Sequence, residues 1–121
     1  VVAWYNLGNQ HHRVGNFDLA AAAFARTTEL DPTHADAWSN GATAEKRRGE
    51  MRAARHGYEQ ALACRPTHHV AMYNLAQLEL AEGNGAAALA MFQRAKRLAP
   101  QHAGSFPALQ AAAAEAAAAT P

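Results

Sequence analysis

Residues 4–32 read WYNLGNQHHRVGNFDLAAAAFARTTELDP, and the fold follows from the punctuation of this stretch. A helix-compatible run leads up to Gly15, where glycine can adopt the positive φ that ends a helix. A second run follows, rich in alanine, the best helix former, and stops before Pro32, which cannot continue a helix. Ala20 sits where the second helix crosses the first, and its small side chain lets the two backbones approach. The stretch therefore predicts a helical hairpin, one helix over 2–14 and its antiparallel partner over 17–30.

The same punctuation recurs at intervals of 34 residues. Gly15, Gly49 and Gly83 share a register, as do Ala20, Ala54 and Ala88, the aromatics Phe24, Tyr58 and Phe92, and Pro32, Pro66 and Pro100. Trp4 and Trp38 are followed by Met72, and His34, His68 and His102 close each unit. Four further helices are thus predicted at 36–48, 51–64, 69–82 and 85–98. A lone hairpin cannot bury its apolar face, so about three must stack, with an additional helix over the last. Residues 103–119 suit that cap, with Phe106 and Leu109 inward and Gln110 and Glu115 toward water; the alternative is a disordered alanine-rich tail.

The first unit, with Trp4, Leu7, Gly8, Gly15, Phe17, Ala20, Phe24 and Pro32, resembles the tetratricopeptide repeat. The resemblance covers residues 1–102 in three copies, 1–34, 35–68 and 69–102, and implies one domain over 1–121. It implies an all-α fold, a right-handed α-solenoid of antiparallel helix pairs with about seven helices. Three positions depart from the pattern and should pack less well: His11 stands where an aromatic is usual, Gly41 replaces a leucine and Gly85 replaces an aromatic.

Composition narrows the function. The 121 residues carry a formal charge of +1 and seven histidines, so no overall field attracts nucleic acid or anionic lipid. Cys64 is the single cysteine, which rules out an internal disulfide and favours a reducing, cytoplasmic setting. Val1 opens the chain without a signal-like segment, as expected of a processed form or an excised piece. The terminal alanine run is too weakly apolar for a membrane span, so a soluble protein is expected.

In the family the first helix of each pair lines the concave side, and the resemblance implies a peptide groove there. The second, fifth, sixth, ninth, twelfth and thirteenth positions of each unit fall on one helical face. They are Val2, Tyr5, Asn6, Asn9, His12 and Arg13; then Asp36, Ser39, Asn40, Thr43, Lys46 and Arg47; then Val70, Tyr73, Asn74, Gln77, Leu80 and Ala81. Asn6, Asn40 and Asn74 give one amide per repeat, each able to donate and accept toward the main chain of an extended peptide. This is similar to the asparagine ladder of a tetratricopeptide superhelix that holds peptide backbone. Tyr5 and Tyr73 add apolar area with a polar tip.

Chaperone-binding members of the family grip a C-terminal carboxylate. Asn9 and Asn40 match two positions of that clamp, but Tyr5, Val70 and Asn74 stand where lysine, lysine and arginine are expected, which disfavours a chaperone tail. Positive charge gathers instead at Arg13, Lys46, Arg47, Arg48, Arg52 and Arg55. Arg13, Lys46 and Arg47 point toward the groove and favour an acidic or phosphorylated ligand, unless the patch is simply a solvated face balanced by Glu45 and Glu50. No aromatics interleave with the arginines as RNA binding would require.

Catalysis is not expected. His11-His12 and His68-His69 are adjacent pairs whose side chains diverge by about 100° on a helix, so neither forms a metal site. The repeated histidines serve loops or helix starts, Cys64 is expected as a partly buried packing residue, and no phosphate-cradling glycine loop occurs. No cofactor or metal is implied. The expected function is a scaffold or adaptor module that binds an extended peptide; the alternative is a structural, oligomerisation or targeting segment of a larger protein, self-associating through its ends.

Overall fold

The computed structural model describes residues 2–100. These hold six α-helices and no strand: α1 Val2–Arg13, α2 Phe17–Leu30, α3 Ala35–Arg47, α4 Met51–Cys64, α5 His69–Ala81 and α6 Gly85–Leu98. The chain divides into two compact units at the Pro66–Thr67 junction. In the first, α1 packs on α2, α2 on α3, and α3 on α4; in the second, α5 packs on α6. The expected cap over 103–119, with Phe106 and Leu109, lies outside the described residues.

The three predicted turns share one geometry. Gly15, Gly49 and Gly83 have φ of 86°, 83° and 86°, the left-handed region that glycine enters without strain. Around Gly15 the Asn16 amide donates to the His11 carbonyl at 2.8 Å and the Gly15 amide to that of His12 at 3.2 Å, the double bond of a Schellman turn. The pairs Glu50 to Glu45 and Gly49 to Lys46, then Asn84 to Glu79 and Gly83 to Leu80, repeat it. This is why α1, α3 and α5 end one residue earlier than the pattern predicts: Val14, Arg48 and Glu82 belong to the turn.

The ends of the second helices obey the prolines. Asp31, Arg65 and Ala99 leave the helix with φ near −140°, as steric contact with the following proline ring requires. At the next helix start His34 is the N-cap, its Nδ1 accepting from the Ala37 amide at 3.1 Å, and His68 does the same for Ala71 at 3.2 Å. The repeated histidines are thus helix caps at both described positions.

Packing follows the small-residue register. Ala20, Ala54 and Ala88 are wholly buried, and Phe24, Tyr58 and Phe92 fill the space beside them at 1% exposure or less. In the first unit Ala20, Ala21, Phe24 and Ala44 form a core on which Tyr5 rests. The Pro32 carbonyl joins the first two repeats, accepting from Trp38 Nε1 at 2.8 Å and from Cys64 Sγ at 3.3 Å. Gly41, where leucine is usual, leaves a hollow of about 110 Å³ bordered by Phe24, Trp38, Ala53, His56 and Gly57.

Candidate functional site

The face predicted to hold a ligand takes shape in the first unit, where α1 and α3 touch. Asn40 Nδ2 lies 3.2 Å from Tyr5 Oη and 3.2 Å from Asn9 Oδ1, donating to both. One amide of α3 therefore ties together two residues a turn apart on α1. Both Nδ2 hydrogens of Asn40 are used within the unit. Tyr5 is held in turn by ring contacts to Phe24 at 5.9 Å and His34 at 4.6 Å.

Next to this junction a hollow of about 130 Å³ is lined by Asn9, His12, Asn40 and Thr43. The Thr43 hydroxyl is 2.7 Å from Tyr58 Oη and 3.2 Å from the Ser39 carbonyl, so the wall it forms is fixed. Burial pushes the Tyr58 phenol up to about 12, against the opposing effect of the Thr43 bond. His12 meets the Phe17 ring edge-on at 5.2 Å, and the Arg47 guanidinium lies over the same ring at 5.8 Å. Its imidazole is held below the usual histidine range by burial and then by the charge of Arg47. Its Nε2 is buried without a hydrogen-bond partner.

The cations divide into two kinds. Arg48 is bound by Asp18 at 2.6 Å and Glu45 at 3.1 Å, so it stabilises the α2–α3 surface. Arg13, Arg47 and Arg52 are exposed, while Lys46 is half-buried, with its ammonium pKa depressed by burial and then by Arg47. Balance by Glu45 is therefore realised at Arg48. Asp36 is ion-paired with Arg65 at 3.6 Å.

Other predicted positions fall elsewhere. Asn6 is exposed, and Ser39 is buried. In the second unit Asn74 Nδ2 donates back to the Val70 carbonyl at 2.9 Å, and Gln77 is half-buried. Tyr73 is only 1% exposed, its ring against Phe92 at 5.4 Å, which makes it a core residue. Cys64, expected as partly buried, is exposed, because it closes α4 just before the Pro66 turn. The family resemblance and the helical spacing put His12 on the ligand face; that its Nε2 is buried without a partner is not carried by either.

Among the described residues no three His, Cys, Asp or Glu side chains gather as a metal site needs. No described helix is long and apolar enough to cross a membrane.

Comparison with known proteins agrees with the repeat register. One tetratricopeptide repeat model matches residues 39–103 and another matches 1–34. No curated protein matches the chain. Among solved structures, the first TPR of Spaghetti (RPAP3) bound to the HSP90 peptide SRMEEVD is 19% identical, with a TM-score of 0.87 over 96% of this chain and 92% of that one. The TPR2B domain of yeast Sti1 in complex with pHsp70 is 19% identical, with a TM-score of 0.87 over 93% and 94%. The type III secretion translocator chaperone SycD of Yersinia enterocolitica is 16% identical, with a TM-score of 0.84 over 96% and 82%. Likeness at this identity is a likeness of fold: an all-α solenoid of helix pairs.

Proposed function

The chain belongs to the tetratricopeptide repeat family, and on that premise we propose that it is a protein-interaction module that binds an extended peptide segment of a partner. The observation that supports this most is the junction of Asn40 with Tyr5 and Asn9 beside the hollow of Asn9, His12, Asn40 and Thr43. Two helices supply it jointly, so it presents polar groups at a fixed spacing, as recognition of a main chain requires. The backbone-contacting amides of this reading are Asn6 and Asn40 in the first unit and Asn74 in the second. Its role is that of an adaptor, binding rather than catalytic.

Charge selects the ligand class. Arg13, Lys46 and Arg47, which share the ligand face by their spacing, favour an acidic or phosphorylated segment. The Spaghetti and Sti1 structures hold an HSP90 peptide and pHsp70. This chain keeps Asn9 and Asn40 but has Tyr5, Val70 and Asn74 where chaperone-tail binders carry cations, so an internal acidic segment fits better than a tail carboxylate.

The test is capture from a lysate of the source organism, with bound proteins mapped to peptides, by wild type and by the Asn6/Asn40/Asn74 triple-alanine variant. Mapped peptides lost with the variant support the groove; peptides kept by both overturn it. A second reading, self-association through an end, draws on the exposure of Val2 at 71%, Trp4 at 40% and Leu7 at 39%. Sedimentation decides it: concentration-dependent growth supports it, and a persistent monomer rejects it.

A further inference from the structure

His12 Nε2 is buried and unpartnered, although the ring borders a hollow whose other walls are the polar side chains Asn9, Asn40 and Thr43. Buried polar atoms are nearly always satisfied, so an orphan beside a polar hollow is open to a bond from a group that enters the hollow. Charge identifies that group. Arg47 faces His12 from α3, across the Phe17 ring that both touch, and Lys46 precedes it on the same helix. On α1 the neighbours are His11 and Arg13. From α2 comes the uncharged Phe17 ring, and the adjacent Asp18 is bound by Arg48. The surroundings of the imidazole are neutral or cationic, which suits an anionic guest.

We propose that His12 takes the side-chain carboxylate of an Asp or Glu in the bound peptide, and that binding there is coupled to the uptake of one proton by the imidazole. The proton comes from solvent and completes an imidazolium whose N–H donates to the carboxylate oxygen. Without a ligand, burial and Arg47 both disfavour this charge. An entering carboxylate offsets Arg47 and gives the imidazolium a partner, so the bound pKa rises above the free one. Between those two values the complex holds one more proton than the free protein. Affinity therefore increases as pH falls through the bound pKa and levels off below the free pKa. The inference rests on the peptide-binding reading but adds a named residue, a ligand group and a pH dependence to it.

The experiment uses the full chain and two probes, the acetylated and amidated tetrapeptides of glutamate and of glutamine, neither of which has a terminal carboxylate. The His12 ring resonance, identified by its loss in His12→Gln, is titrated by NMR with and without each probe. The expected result is a higher His12 pKa with tetraglutamate alone, and binding about three- to tenfold tighter near pH 5.5 than near pH 8. In His12→Gln, checked for helicity by circular dichroism, that pH dependence disappears. The inference is overturned if tetraglutamate fails to bind, if it binds without moving the His12 pKa, or if tetraglutamine moves it equally. The groove reading is judged separately, by whether captured peptides are lost with the triple-alanine variant.

Discussion

Gly8 and Gly41 both face Phe24, yet replacing each with alanine should change stability in opposite directions. A Cβ at Gly8 would meet the Phe24 ring at 2.7, 2.8 and 3.0 Å, against an ordinary carbon contact of about 3.5–4.0 Å. The ring has little room to yield: it is 1% exposed, and Tyr5 packs on it with centroids 5.9 Å apart. Overpacking of this kind costs about 1–3 kcal/mol, and better helix propensity returns about 1 kcal/mol. Gly8→Ala should therefore lose up to about 2 kcal/mol. At Gly41 the nearest atoms are Phe24 Cβ at 3.1 Å and Cγ at 3.8 Å, a contact that a shift of a few tenths of an ångström relieves, and the hollow alongside gives space for it. Gly41→Ala should gain up to about 1 kcal/mol from propensity. Thermal unfolding followed at 222 nm should separate the two variants by about 8 °C. A Gly8→Ala protein that melts as high as Gly41→Ala would refute the packing described for Phe24.

Substitutions at three further residues probe the framework. Tyr58→Phe should cost about 1 kcal/mol by removing the bond to Thr43. Because folding raises the Tyr58 pKa to about 12 from 10.0, wild-type stability should be full below pH 10 and fall between about pH 10 and 12; thermal melts across that range should show a shallower fall in Tyr58→Phe. His34→Ala should lose about 1 kcal/mol in denaturant titration through the missing N-cap, with His34→Asn recovering most of it. Arg48→Ala should leave the midpoint of the same titration almost unchanged, since its partner Asp18 is 85% exposed and solvent screens the pair.

The hairpins were legible because each of their determinants is local. Gly15, Gly49 and Gly83 announce their turns through a backbone conformation that other residues adopt only at a cost, and Pro32, Pro66 and Pro100 announce the helix ends through ring sterics. The buried alanines and aromatics follow from the same period. Side-chain partnerships were not legible, because they arise between helices. Spacing places Asn40 and Thr43 on one face, but not the bonds from Asn40 to Tyr5 and Asn9, nor that from Thr43 to Tyr58. Tyr5 and Tyr73 occupy equivalent positions in their repeats, yet Tyr5 is half-buried and Tyr73 is core. Cys64 was expected to pack inward because cysteine usually does; its place as the last residue of α4 leaves it exposed. His12 shows the same limit, since the fate of its Nε2 depends on Phe17 and Arg47 from two other helices.

The claim that the α1–α3 face binds peptide is tested most directly by isothermal titration calorimetry of a captured, mapped peptide against wild type and Asn40→Ala, with helicity confirmed for both. Asn40→Ala should lose about 1–3 kcal/mol in binding, roughly five- to 150-fold in affinity. Equal affinity of the two folded proteins would contradict it and place the interface on another surface.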